Sequence, residues 1–352
     1  MSFEGTEQPL VTIAIATHNG ASSIGEILRG VQGIRYTNLQ VLIGDDNSLD
    51  RTEEICRSYE KEIPQLKFIP SSKRLGINAN YNRLLALAEG KYFVLFDQDD
   101  ERDPSFVPKC VEKLEKQKDA VLCHSYTGVK WNKKIYHVNN LNSLVSRRTV
   151  FSRIFRVLRA PSDINIYGLV RTECLRTAGG WKPGLANTHR LLFSLALQGP
   201  FLQIPEILFW YTAKGLKFRP TNIEEIQRSE PGANKGRARG ASIRLASGRF
   251  QEICSSKFSI PSQVLLTLIL FLNFFTVSTT KILYRSVWKI FDVRTPSILT
   301  RLCTRIVYPD DDIEYIIDRE KDTEYYPKEW PLRRIAKSNL ALPSAKIESK
   351  NG

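Results

Sequence analysis

Residues 75–100 read LGINANYNRLLALAEGKYFVLFDQDD. The stretch predicts a helix over 78–88, an apolar strand over 92–96 (YFVLF), and an acidic loop, Asp97-Gln98-Asp99-Asp100, at the strand's carboxyl end. The same grammar repeats upstream. Val11 to Ala16 (VTIAIA) ends in Thr17-His18-Asn19-Gly20 and is followed by helical spacing from Ser22 to Val31. Leu39 to Gly44 (LQVLIG) ends in Asp45-Asp46-Asn47-Ser48 and precedes a helix over 50–62, and Leu66 to Ile69 leads through a loop into the 78–88 helix. Downstream, a helix over 104–116 opens on Pro104, and Ala120 to Ser125 is a fifth strand. Strands interleaved with helices predict an α/β fold, a mostly parallel sheet flanked by helices.

In such sheets ligands lie outside the carboxyl ends of the strands. Three polar clusters fall there: Thr17 to Gly20, Asp45 to Ser48 and Asp97 to Asp100. Three segments remote in sequence are thus expected to line one crevice.

The chain has 352 residues, 42% hydrophobic and 25% charged, which excludes wholesale disorder, a collagen-like fibre and a multispanning membrane protein. Lys and Arg number 51 against 37 Asp and Glu, a formal +14, so anionic partners are favoured: nucleotides, anionic lipid or nucleic acid. The basic excess lies in the later half, with Arg147, Arg148, Arg153, Arg156 and Arg159 in one acid-free stretch. Six cysteines stand apart without a CxxC pair, and the first residues have neither a basic nor an apolar leader pattern; both fit a reducing, cytoplasmic compartment.

The predicted organisation is a domain over 1–228, made of a half with regular strand–helix alternation (9–126) that carries the three polar clusters and a looser, more basic half (127–228). A basic linker over 229–257, an apolar and basic helical region over 258–308 and a peripheral tail over 309–352 follow. Phe258 to Thr280 contains no charged residue across 23 positions and is bracketed by Lys257 and Lys281, then Arg285 and Lys289. About 20 apolar residues span a bilayer, so 260–280 is a candidate membrane helix. The alternatives are a helix lying at the membrane interface and a buried helix of a C-terminal subdomain.

Asp97 and Asp99, one residue apart at a strand end, can offer oxygens to one divalent cation that also binds a diphosphate; the bland alternative is a solvated turn or helix cap. Asp46 either caps the next helix or offers its carboxylate to the imide NH of a pyrimidine, with Asp50 and Ser48 the better caps.

The segments VTIAIATHNG, VLIGDDNSLD and LGINANYNRLLALAEGKYFVLFDQDD together resemble the nucleotide-diphospho-sugar glycosyltransferases of family 2, of GT-A fold, over roughly Pro9 to Gln203. The resemblance implies a Rossmann-like sheet and a metal-dependent (Mn²⁺ or Mg²⁺) transferase. Such an enzyme moves one sugar from a UDP- or dTDP-sugar to a glycan or lipid-linked acceptor, with inversion. It works at the cytosolic face of a membrane, with an anionic membrane surface as partner and no nucleic acid. It further implies Thr17 and Asn19 beside the nucleotide, Asp46 on the base, and Asp97 and Asp99 as the DxD element, with Asp99 the direct metal ligand and Asp100 shaping the loop.

One departure stands out. The family's acceptor-side pattern carries a Glu-Asp pair whose Asp is the general base, and this chain has Asn187-Thr188 there. An inverting displacement needs an acceptor for the hydroxyl proton, which a threonine does not supply. His189, with an ordinary pKa near ~6.5, is the adjacent candidate; Asp163 and Glu206 are the fallbacks. Trp181 stands as either an acceptor-stacking ring or a packing anchor. Lys214, Lys217 and Arg219 are candidates to close over a diphosphate, or a solvated basic loop. Two further readings are a nucleotide-sugar-binding protein of this fold without transfer and a basic nucleic-acid or membrane-surface binder. A dinucleotide oxidoreductase is excluded by the absence of a GxGxxG turn, and the absence of QxxRW and of several spanning helices favours a single-transfer enzyme over a processive synthase.

Overall fold

The structure is a computed structural model, and it describes residues 8–97, 100–131, 134–138, 149–159, 163–182, 187–212 and 241–273. Asp99, Lys214, Lys217, Arg219 and the 309–352 tail lie outside the described residues.

In chain order the elements begin with β1 (Val11–Thr17), α1 (Ile24–Gln32), β2 (Leu39–Asp45), α2 (Thr52–Tyr59), β3 (Leu66–Ile69), α3 (Ile77–Leu87) and β4 (Tyr92–Leu95). Next come β5 (Glu101–Arg102), α4 (Phe106–Lys116), β6 (Leu122–Trp131), β7 (Lys134–Val138), α5 (Val150–Arg159) and a 3-10 helix, Asp163–Tyr167. The last are β8 (Leu169–Arg171), α6 (Thr172–Thr177), α7 (Asn187–Gln198), β9 (Phe201–Thr212) and α8 (Ala241–Cys254). A further helix occupies 260–273.

The nine strands form one sheet in the order β3-β2-β1-β4-β8-β6-β9-β5, with β7 paired to β6. β3, β2, β1 and β4 are mutually parallel, and β6 is parallel to β9. β8 runs antiparallel to both β4 and β6, so the fifth expected strand is not a direct neighbour of the fourth. The mostly parallel sheet expected from the alternation is therefore present, with one short reversed strand wedged into its middle.

Alternating side chains divide the core into two layers, because successive residues of a strand face opposite sides of the sheet. Val11, Ile13 and Ile15 of β1 and Tyr92 and Val94 of β4 join Ile24, Leu28, Phe106 and Leu114 of α1 and α4 on one face. Ala14 and Ala16, with Phe93 and Leu95, join Leu84 of α3, Ile154 of α5, Leu175 of α6, Phe193 of α7 and Ile253 of α8 on the other. With helices on both faces, the strands read as near-continuous apolar runs.

The linker expected over 229–257 is corrected in its second half, where Ala241–Cys254 is helical. Gly248 serves close packing there: a Cβ on it would meet the Arg190 guanidinium at 2.9 Å. Glu252 accepts from Lys182 Nζ (2.9 Å), Arg190 Nε (3.0 Å) and Ser194 Oγ (3.2 Å), which ties α8 to α7. No helix among the described residues is long and apolar enough to cross a membrane; residues 274–280 of the candidate span lie outside them.

Candidate functional site

β2, β1 and β4 are consecutive in the sheet. With strands spaced ~4.8 Å apart, the ends of β2 and β4 stand about 10 Å apart across β1. The three polar clusters therefore share one edge of the sheet. Two of them are stitched together. The Asp46 amide donates to Thr17 O (2.9 Å), His18 Nδ1 to Asp46 O (2.8 Å), Asn19 N to Ser48 Oγ (2.8 Å) and Leu49 N to Asn19 Oδ1 (2.9 Å). Asn19 and Asn47 both hold positive φ, 51° and 61°, a region that Asn tolerates better than other non-glycine residues. Thr17, the last residue of β1, is buried, and Asn19 is exposed at the loop tip.

Asp46 is buried, and its carboxylate is engaged: Oδ1 accepts from Leu75 N (2.6 Å) and Oδ2 from Gly76 N (2.9 Å). The donors are backbone amides at the start of α3, so Asp46 joins the end of β2 to the LGINAN segment. Arg83 completes that corner, donating to Asp45 O and Ile69 O (3.0 Å each) and to Asn80 Oδ1 (2.9 Å). Asp45 holds its own turn, accepting from Ser48 N (2.9 Å) and Ser48 Oγ. Asp50, one residue before the N-cap Arg51, accepts from Thr52 N (3.1 Å) at the start of α2.

Asp97 lies on the face of the sheet that carries α3 and the 3-10 helix. Its Oδ1 accepts the Tyr81 hydroxyl (2.8 Å) and its Oδ2 the Tyr167 hydroxyl (2.5 Å). Burial, and then the Asp97 charge, push both phenols well above their ordinary value, so both remain proton donors. Asp100 is buried, and its amide donates to Asp97 O (3.3 Å). Beneath the loop, the Arg102 guanidinium lies 4.1 Å from the Phe96 ring centroid and 4.5 Å from that of Phe209. Its Nη2 donates to Leu95 O (2.7 Å) and Tyr167 O (3.1 Å). Burial lowers its pKa to about 10, so a full positive charge sits under the acidic loop at neutral pH.

For a cation, the donor set is the test. An ionised carboxylate has about four lone-pair sites, and the tyrosines occupy one on each Asp97 oxygen. Carboxylate oxygens are the donors that a hard divalent ion prefers. No cluster of three or more His, Cys, Asp or Glu side chains suited to a metal occurs among the described residues, which omit Asp99.

On the acceptor side, Asn187 is the first residue of α7 and its Oδ1 accepts from Thr188 N (2.6 Å), and His189 is half-buried in the helix's first turn. α7 packs on the same face as Tyr81 and Tyr167. Of the fallbacks, Asp163 opens the 3-10 helix. Glu206 is corrected: it is ion-paired to Lys109 of α4 (2.5 Å), on the opposite face of the sheet from α7. Trp181 is a packing anchor, 2% exposed and 5.1 Å from the Tyr81 ring. Its backbone N and O are both held by Asn82 (2.8 and 2.7 Å).

Tyr81, Tyr167, Arg83 and Arg102 escaped the reading of the sequence. A tyrosine in an apolar helical pattern looks like core, and the one available signal was a phenol that, once buried, needs a partner.

Residues 12–171 match the profile described as glycosyl transferase family 2. Among relatives, chondroitin synthase of Escherichia coli is 28% identical over 57% of this chain and 28% of its own. The GalNAc(5)-diNAcBac-PP-undecaprenol beta-1,3-glucosyltransferase of Campylobacter jejuni is 27% identical over 26% of this chain and 30% of its own. The chain thus spans less than a third of the length of either. Among solved structures, TarS of S. aureus superposes with a TM-score of 0.55 at 14% identity, covering 77% of this chain and 73% of that one, which is a likeness of fold. The strands β2 and β4 with their acidic ends, and all but the first residue of β1, fall within residues 12–171, the part of the chain that matches the glycosyl transferase family 2 profile.

Proposed function

We propose that the protein is a glycosyltransferase that moves one sugar from a UDP- or dTDP-sugar to a glycan or lipid-linked acceptor, with inversion, at the cytosolic face of a membrane. The observation that carries this reading is the meeting of the Thr17, Asp46 and Asp97 clusters at the adjacent ends of β1, β2 and β4. Chondroitin synthase and the undecaprenol-linked glucosyltransferase are named for sugar transfer, and TarS has been solved in complex with UDP; these names support a nucleoside-diphosphate-sugar donor.

In this reading Asn19 and Thr17 border the nucleotide. Asp46, by fixing Leu75 and Gly76, shapes the wall against which the base lies, and its remaining lone pairs face the pyrimidine edge. Asp97 and Asp99 would hold Mn²⁺ or Mg²⁺, which when bound neutralises charge on the leaving diphosphate. Tyr81 and Tyr167 fix the rotamer of Asp97, and Arg102 offsets the negative charge of the loop. His189 takes the proton of the acceptor hydroxyl as the new bond forms.

The test is UDP release from a panel of UDP- and dTDP-sugars, with the wild type and His189→Gln compared. Loss of a general base lowers kcat by ~10²–10⁴, and the variant is expected to do so while binding UDP as tightly as the wild type. Unchanged kcat would remove His189 from the mechanism. Tight donor binding with no release on any acceptor would favour a binding protein of the same fold, the reading to which the Asn187-Thr188 departure points.

A further inference from the structure

The helix over 260–273 has two unlike sides. Leu266 and Leu270, 0% and 4% exposed, and the partly buried Ile269 sit in the core layer that holds α7 and α8. The opposite side carries Ile260 (77% exposed), Val264 (54%), Leu265 (45%) and Leu268 (53%), with Phe271 and Leu272 continuing it. At ~100° per residue the exposed positions fall within an arc of about 140°, apart from the buried ones. An amphipathic helix normally carries charge on its outer side; this one has no charged residue from 258 to 280.

The surrounding sequence is cationic. Between Ile253 and Tyr308 lie Lys257, Lys281, Arg285, Lys289, Arg294, Arg301 and Arg305, seven cations against the single acid Asp292. An apolar face that follows Lys257 in a stretch of sequence with seven cations and one acid complements a surface that is hydrocarbon within and anionic at its rim. A protein partner would require polar groups to match along the rim, and the face offers few: Gln263 is turned inward, its Nε2 donating to Ser256 O (3.1 Å) and Phe258 O (3.0 Å), and Thr267 Oγ1 donates to Gln263 O (2.8 Å).

We infer that the outer side of the 260–273 helix docks the protein onto an anionic lipid surface, lying in the plane of the interface and not spanning it. The inner stripe decides between the two modes. A helix whose Leu266 and Leu270 are sealed in the domain core cannot also be surrounded by acyl chains while the domain is folded. Helices of this kind bind through buried apolar area together with attraction to anionic headgroups. α8 leads into the helix and is tied through Glu252 to Lys182 and Arg190, the latter one residue from His189. Docking therefore brings the acceptor side of the domain to the headgroups. The inference deepens the membrane-face part of the proposed function and rests on it only for that last consequence.

The test is co-sedimentation of the full chain with vesicles of phosphatidylcholine containing phosphatidylglycerol, and with phosphatidylcholine alone. Val264→Glu/Leu268→Glu changes only exposed positions, so melting temperature and UDP affinity are expected to stay at wild-type values. Binding to anionic vesicles is expected to fall at least ~tenfold, and wild-type binding to weaken with added salt. A Leu268→Trp variant supplies a second readout, since its fluorescence should be quenched by brominated acyl chains. Wild-type failure to sediment, undiminished binding by the double variant, or an unquenched Trp would overturn the inference. So would a homodimer dissolved by the double variant, which assigns the face to a second copy. UDP affinity is measured in the same samples, so failure of docking is distinguishable from failure of the nucleotide site.

Discussion

Replacing Tyr81 or Tyr167 by Phe removes one hydroxyl and almost no volume, and so isolates the two bonds that aim Asp97. A hydrogen bond to a charged group contributes ~1.5–3 kcal/mol. Both phenols are held away from water, and solvent cannot readily replace the lost donor. Each single variant should therefore lose about 2 kcal/mol of folding stability, a fall in melting temperature of roughly 4–8 °C at 2–4 °C per kcal/mol for a chain of this size. The second effect is functional. A carboxylate free to rotate must be re-aimed when the metal–nucleotide complex binds, and ~1.4 kcal/mol of that work is tenfold in affinity. UDP with Mn²⁺ should bind each variant about tenfold more weakly, while UDP without metal binds as to the wild type. The two bonds share one carboxylate, so the double variant should depart from the sum of the singles. The assays are thermal melting and calorimetric titration of the same samples. A fall in melting temperature with unchanged metal-dependent affinity would reduce the clamp to a structural role. No fall in either would contradict the hydrogen bonds themselves.

Two further outcomes follow from buried groups away from the acidic loop. His124 of β6 is buried, and burial lowers its pKa from 6.5 to about 4. The folded state keeps it neutral where the unfolded chain takes up a proton, so stability is intact above pH ~6.5, declines as pH falls toward about 4, and the loss is complete below that. The loss is roughly 3 kcal/mol at ~1.4 per pH unit, and His124→Gln should flatten this part of the urea-denaturation pH profile. A profile unchanged by the substitution would show that His124 is not its source. Gly180 has φ +63°, and a Cβ there would collide with Asn82 Oδ1, the acceptor of Trp181 N. Gly180→Ala should cost about 2–4 kcal/mol in urea denaturation, from left-handed strain and a disturbed bond pair; a loss below about 0.5 kcal/mol would show that the turn relaxes freely.

Much of the frame was legible in the sequence because VTIAIA, LQVLIG and YFVLF are largely apolar on both faces, as strands sandwiched between helices require. The convergence of the polar clusters followed from the parallel arrangement alone. β8 was not legible: at three residues, Leu169–Arg171 is too short for a period, and its antiparallel insertion is a tertiary event. The linker reading failed over Ala241–Cys254 because Gly248, of a residue type common in loops, here lets α8 approach Arg190 of α7. At the strand ends the sequence singled out Asp46 and Asp97 but not the groups that bond them. Tyr81 is 16 residues from Asp97 and Tyr167 is 70, and nothing local in either segment marks its hydroxyl for a distant carboxylate.

The central claim is that the strand-end aspartates form one metal-dependent pyrimidine-nucleotide site. Calorimetric titration of the full chain with UDP, with and without Mn²⁺, for the wild type and Asp99→Ala, tests it most directly. The account predicts tight UDP binding to the wild type only with the metal, and loss of that metal dependence in a variant that melts like the wild type. UDP affinity indifferent to Mn²⁺ in the wild type, or equal metal-dependent affinity in the variant, would contradict it.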